Sequence, residues 1–154
     1  MNHITNITCA SAHIHGSLEH PALCGTVTFR QMRGGVLVTA RLSGLPQNMQ
    51  HGFGIFAFHI HDGDSCCDTA GEPFPESGGH YNPGNAPHPY HAGDLPPLFG
   101  GKNGCAYMSV LTDRFTVSEI INRVVIIHGS PDDFVTQPSG NAGTKIACGK
   151  IVAG

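Results

Sequence analysis

The sequence predicts an all-β domain: a Greek-key β-barrel or sandwich of seven or eight short strands, interrupted by one long loop. Three observations carry that reading. Apolar residues come in short runs, and some alternate with polar ones at the period of two that a half-buried strand requires. Turn-forming residues separate the runs, with 21 glycines and 11 prolines in 154 residues. No window offers an uninterrupted helical stripe. The length suits one domain over residues 1–154, with 1–11 expected to form a loosely ordered N-terminal extension.

In chain order, strands are predicted at 13–18 (HIHGSL), 25–31 (GTVTFRQ), 35–43 (GVLVTARLS), 55–61 (IFAFHIH), 105–111 (CAYMSVL), 123–128 (RVVIIH) and 145–152 (KIACGKIV). In TVTFR, Val and Phe alternate with Thr and Arg, so one face is apolar. The tetrapeptide MRGG at 32–35 reads as a hairpin turn. The stretch TVSEIIN at 116–122 reads as one helical turn, capped by Thr116 or Ser118.

Composition excludes several functions. Charged residues are 12 % of the chain and the net charge is −3. No basic patch points to nucleic acid, and no basic amphipathic or long apolar segment points to a membrane. The N-terminal stretch has no Lys or Arg before Arg30 and no apolar core, so it does not read as a secretory signal. A cytoplasmic location is expected, or an extracytoplasmic one if a leader was removed. Asn6-Ile7-Thr8 matches a glycosylation acceptor, a match too short to be specific. None of the six cysteines forms a C-x-x-C pair. Adjacent Cys66 and Cys67 cannot form a relaxed bridge with each other, which leaves a long-range bridge from one of them open.

Histidine is the outlier, at 11 against 8 Lys plus Arg. His59 and His61 occupy i and i+2 of a strand and therefore face the same way. They either converge on an ion or face solvent. His13 and His15 repeat the spacing with no ligand types following, and read as surface residues on an edge strand. Residues 62–104 have little strand character, and structureless loops of this length are usually functional. In that loop His80, His88, His91 and Asp94 make a full tetrahedral set for zinc, which would staple the loop in place of secondary structure. His128 ends the apolar run VVIIH, and Asp132 and Asp133 follow it.

Taken in order, FHIH, GGHYNP, HAGDL, VVIIHGSPDD and GNAGTKIACG resemble the copper/zinc superoxide dismutase family, in its short-loop bacterial form, from about Gly25 to the C-terminus. Each motif is short; five in sequence are specific. The resemblance implies an eight-stranded, immunoglobulin-like Greek-key barrel and conversion of the superoxide anion to dioxygen and hydrogen peroxide. It implies that His59, His61, His80 and His128 bind copper, that His80 also bridges to zinc, and that His88, His91 and Asp94 complete the zinc site. Asp132 would link a copper ligand to a zinc ligand. Cys66 and Cys148 would form the family's disulfide, with Cys67 the alternative to Cys66. The chain would act as a monomer or homodimer.

Departures accompany the resemblance. Lys145 stands where the family has an active-site arginine, keeping the charge but losing the planar fork. Ala57 stands where glycine is usual, and the segment from His128 to Gly140 is too short for a charged steering loop. Cys9, Cys24 and Cys105 are extra and are expected to be buried. Three rivals are weighed: a copper/zinc-binding homologue without dismutase activity, a zinc-only module, and a cupin. The cupin expects a Glu soon after H-x-H, and none occurs before Glu72.

Overall fold

In the computed structural model, residues 6–48 and 50–154 are described. Among the described residues, eight strands form one sheet: β1 (Cys9–Gly16), β2 (Cys24–Met32), β3 (Gly35–Ser43), β4 (Gly54–His61), β5 (Asp94–Gly100), β6 (Ala106–Thr112), β7 (Val124–His128) and β8 (Lys145–Ala153). Their order is β5-β4-β7-β8-β1-β2-β3-β6, and every pairing is antiparallel. Edge strands β5 and β6 lie against each other without a hydrogen-bonded ladder, so the barrel is nearly closed. The neighbours β3–β6, β4–β7 and β8–β1 are distant in sequence, which is the Greek-key connectivity the sequence predicts.

Alternation builds the core. Val27 and Phe29 of β2 are buried, while Thr26, Thr28 and Arg30 point away or to the rim. Phe58, Ile60, Val125, Ile127 and Ile151 meet them inside the barrel. Met32 and Gly35 pair across the two-residue turn Arg33-Gly34, the hairpin that MRGG announces. The helical turn α1 (Val117–Ile120) is capped by Thr116, whose N–H and hydroxyl donate to the Glu119 carboxylate. A second apolar cluster lies outside the barrel, where Phe74, Val124, Ile126 and Cys148 pack with Cys66.

Four expectations need correction. The first strand begins at Cys9, so residues 9–11 of the expected loose extension already pair with β2; residues 1–5 lie outside the described residues. β1 sits between β8 and β2, so His13 and His15 are exposed on an interior strand rather than an edge strand. β5 lies within the segment read as structureless. Its Pro96 and Pro97 lack N–H groups, and an edge strand tolerates this because one side has no ladder to supply. Finally, Cys9, Cys24 and Cys105 are exposed. Cys9 and Cys24 are the first residues of their strands, out of phase with the buried positions, and Cys105 precedes β6.

Candidate metal centre

β4 is buried on both faces from Phe56 to His61. Its Phe58 and Ile60 face the barrel core, so His59 and His61 face outward. The loop 62–93 covers them. That loop is tied to the end of β4: Tyr81 N–H donates to Ile60 O, Ile60 N–H donates to Gly93 O, and His61 bridges His80. The ladder then sets Asp94, the first residue of β5, opposite His59. His128 arrives from the end of β7, just past a register shift at Ile127.

Two ligand clusters result, His59/His61/His80/His128 and His80/His88/His91/Asp94, and they share His80. In the first, His61 Nε2 lies 3.3 Å from His128 Nε2. Two ligands about 2.0–2.1 Å from a tetrahedral ion would be about 3.3 Å apart. Their other nitrogens are engaged: His61 Nδ1 donates to Gly78 O (2.7 Å) and His128 Nδ1 to Gly143 O (3.2 Å). Those bonds set the tautomer that leaves each Nε2 lone pair free. His59 is oriented the other way round. Its Nε2 donates to Asp132 Oδ2 at 2.8 Å, and its Nδ1 is buried without a partner.

In the second cluster, His80 Nδ1 lies 2.8 Å from Asp94 Oδ1 and 3.2 Å from His91 Nδ1. His88 Nδ1 is 3.1 Å and His91 Nδ1 3.3 Å from Asp94 Oδ2. His88 Nδ1 is close to the carboxylate but not aligned for a hydrogen bond, and it is buried without a partner. His88 Nε2 donates to Asp132 Oδ1 at 2.8 Å. One carboxylate, Asp132, thus holds a ring from each cluster. His80 divides its nitrogens likewise: Nδ1 joins the second cluster, while Nε2 is buried without a partner.

Burial pushes His59 down to about 2, with His80 and His128 adding repulsion, and pushes His128 down to about 4. His61 is held well below the usual range by burial and by His128 and His80. His91 is lowered by burial too. These rings are neutral at neutral pH, the form that binds a metal. Burial works to raise the Asp94 carboxyl, but the hydrogen bond from His80 and the neighbouring His80, His59 and His88 rings together hold the group below its ordinary value. An unsatisfied buried nitrogen costs about 1–3 kcal/mol, and His59 Nδ1, His80 Nε2 and His88 Nδ1 are three such atoms. A cation in each cluster would satisfy them, so the donor sets fit two ions.

Outside the clusters, Cys66 and Cys148 form a disulfide, and Cys67 is free and exposed. Lys145 pairs with His128 across β7 and β8, and its half-buried Nζ donates to Phe74 O at 3.3 Å. Sequence reasoning overlooked Phe74. Its backbone is left-handed (φ 50°) and its ring fully buried, a combination with no signal in a Pro-rich loop. It also overlooked Gly140, where a Cβ would lie 2.1 Å from Asp132 Oδ1 and 2.6 Å from His88 Nε2.

A sequence model of copper/zinc superoxide dismutase matches residues 23–151. The chain belongs to the copper/zinc superoxide dismutase family. Among curated members, the Cu-Zn superoxide dismutase of Legionella pneumophila is 36% identical over 148 residues, covering 92% of this chain and 85% of that protein. The Cu/Zn superoxide dismutase of Brucella abortus superposes with a TM-score of 0.75 at 27% identity, over 92% of this chain and 98% of the other. The clock protein EA4 shares the fold with a TM-score of 0.82 at 29% identity, over 99% of each chain.

Proposed function

We propose that this copper/zinc superoxide dismutase converts superoxide to dioxygen and hydrogen peroxide at a copper ion held by His59, His61, His80 and His128. Zinc is held beside it by His80, His88, His91 and Asp94. The observation that carries this reading is the division of His80, with Nδ1 among the second set of ligands and a buried, unpartnered Nε2 left for the first. Copper supplies the one-electron chemistry that zinc, with a single oxidation state, cannot.

The chain's own residues have separable tasks. Asp132 accepts from His59 Nε2 and His88 Nε2, which fixes the tautomer of one ring in each ligand set and couples the sets. Gly78 O and Gly143 O do the same for His61 and His128. His80 Nε2 is a buried basic nitrogen beside the reaction centre and can hold a proton there. Lys145 supplies a positive charge next to His128 for an anionic substrate that the net charge of −3 does not attract. Superoxide dismutase is among the standard illustrations of such steering.

Metal analysis of the purified protein, paired with a superoxide consumption assay, tests the reading. One copper and one zinc per chain with fast turnover is the expected result. Both metals without turnover would leave a metal-binding homologue, and zinc without copper would leave a structural module.

A further inference from the structure

The connection from β6 to β7 sends two arginines back onto the metal loop. Arg123 lies over the Tyr81 ring, 4.2 Å from its centroid, and donates to Asp62 beside His61. Arg114 does something different. Its Nη1 lies 3.1 Å from Pro89 O, 3.2 Å from His91 O and 3.2 Å from Asp94 O. Nη1 carries two hydrogens, so the three carbonyls share them. Two of those carbonyls belong to residues whose side chains complete the second cluster. The third belongs to the residue after His88.

The three carbonyl dipoles converge on one point at the surface, and the repulsion among them is offset by the guanidinium. The contact also spans the seam between β5 and β6, where no ladder holds the sheet together. Within the turn, Asp94 N–H donates to His91 O and His91 N–H to the Asp94 carboxylate. Its end is tied to β4, where Ile60 N–H donates to Gly93 O and Asp94 pairs with His59; Arg114 adds a second tie from the β6 side that also reaches Pro89 and His91.

We infer that Arg114 is a positioning residue for zinc: it ties the outer part of the 89–94 turn, whose end β4 already holds, to the β6 side of the barrel so that His91 and Asp94 present their ligand atoms together. The inference rests on the zinc assignment above. A guanidinium is itself a cation and repels a metal ion, so its benefit must come through geometry and not through charge. Groups that orient metal ligands are worth about 10–100-fold in metal affinity.

The test uses the full chain free of copper, with zinc affinity read by competition against a chelator and stability read by urea unfolding of the metal-free protein. Arg114→Met keeps the stem and removes the donors; it is expected to weaken zinc binding about 10–100-fold while the metal-free urea midpoint stays put. Arg114→Lys keeps three donors on one nitrogen and is expected to recover most of the affinity. Zinc bound by Arg114→Met as tightly as by wild type, or tighter, would overturn the inference. So would equal weakening in both variants together with a lower metal-free midpoint, which would make Arg114 a structural residue only. If the wild-type chain takes up no zinc, the zinc assignment fails and the role of Arg114 falls with it.

Discussion

His59 shows how much one side chain depends on its partners. Its ring is fully buried, its Nε2 is committed to Asp132, and only Nδ1 is left to bind. Asp132→Asn keeps the shape but offers one acceptor oxygen where His59 and His88 need two. Zinc affinity is expected to fall about 10–100-fold, measured by chelator competition. Gly140 protects the same contact. It has φ +72°, and a Cβ there would overlap both Asp132 and His88. Gly140→Ala is therefore expected to lower the stability of the metal-free protein by about 1–3 kcal/mol and to weaken metal uptake; thermal unfolding with and without zinc would read both.

At the scale of elements, the long loop is held by several devices at once. Backbone bonds join it to β4, the Cys66–Cys148 disulfide joins it to β8, and the Phe74 ring wedges it onto the outer face of β7. The disulfide spans 82 residues, for which loop-closure entropy gives about 4–5 kcal/mol. Cys66→Ser should lower stability by that order in urea unfolding, while exposed Cys67→Ser should leave it unchanged. Equal effects from the two would mean that the bridge contributes nothing specific. Because Phe74 O also receives Lys145 Nζ, the same wedge sets the position of the cation.

For the whole molecule, charge and protonation decide the conditions of work. His59 and His128 drop from the ordinary 6.5 to about 2 and about 4 on folding. Below pH 6.5 the unfolded chain therefore binds protons that the folded chain refuses, and stability falls as pH falls. The metal-free protein should lose about 2 kcal/mol for each of the two histidines between pH 6.5 and 5, read as a falling urea midpoint. A midpoint flat over that range would contradict the burial argument. Steering also belongs to this scale. With a net charge of −3, the anion depends on a local field. Lys145→Ala is expected to slow turnover about tenfold and flatten its dependence on ionic strength. An unchanged rate and salt slope would remove Lys145 from the mechanism.

The sequence by itself determined the period-two strands, the hairpin at Arg33-Gly34, a capped helical turn at 116–122 and the types of the ligands. Local signals suffice there, because alternation, turn chemistry and capping act over a few residues. It left β5 unread, since two prolines argue against a strand until its edge position is known. It also misplaced Cys9, Cys24 and Cys105, because burial depends on which face of a strand the barrel encloses. Only the tertiary structure decided which nitrogen of each histidine is free and that Asp132 reaches the two clusters through His59 Nε2 and His88 Nε2. Arg114 could be tied to residues 20 to 25 positions earlier only in three dimensions. Hydrogen-bond direction and convergence at a point are properties of atoms brought together by chain reversal, and no spacing along a strand encodes them.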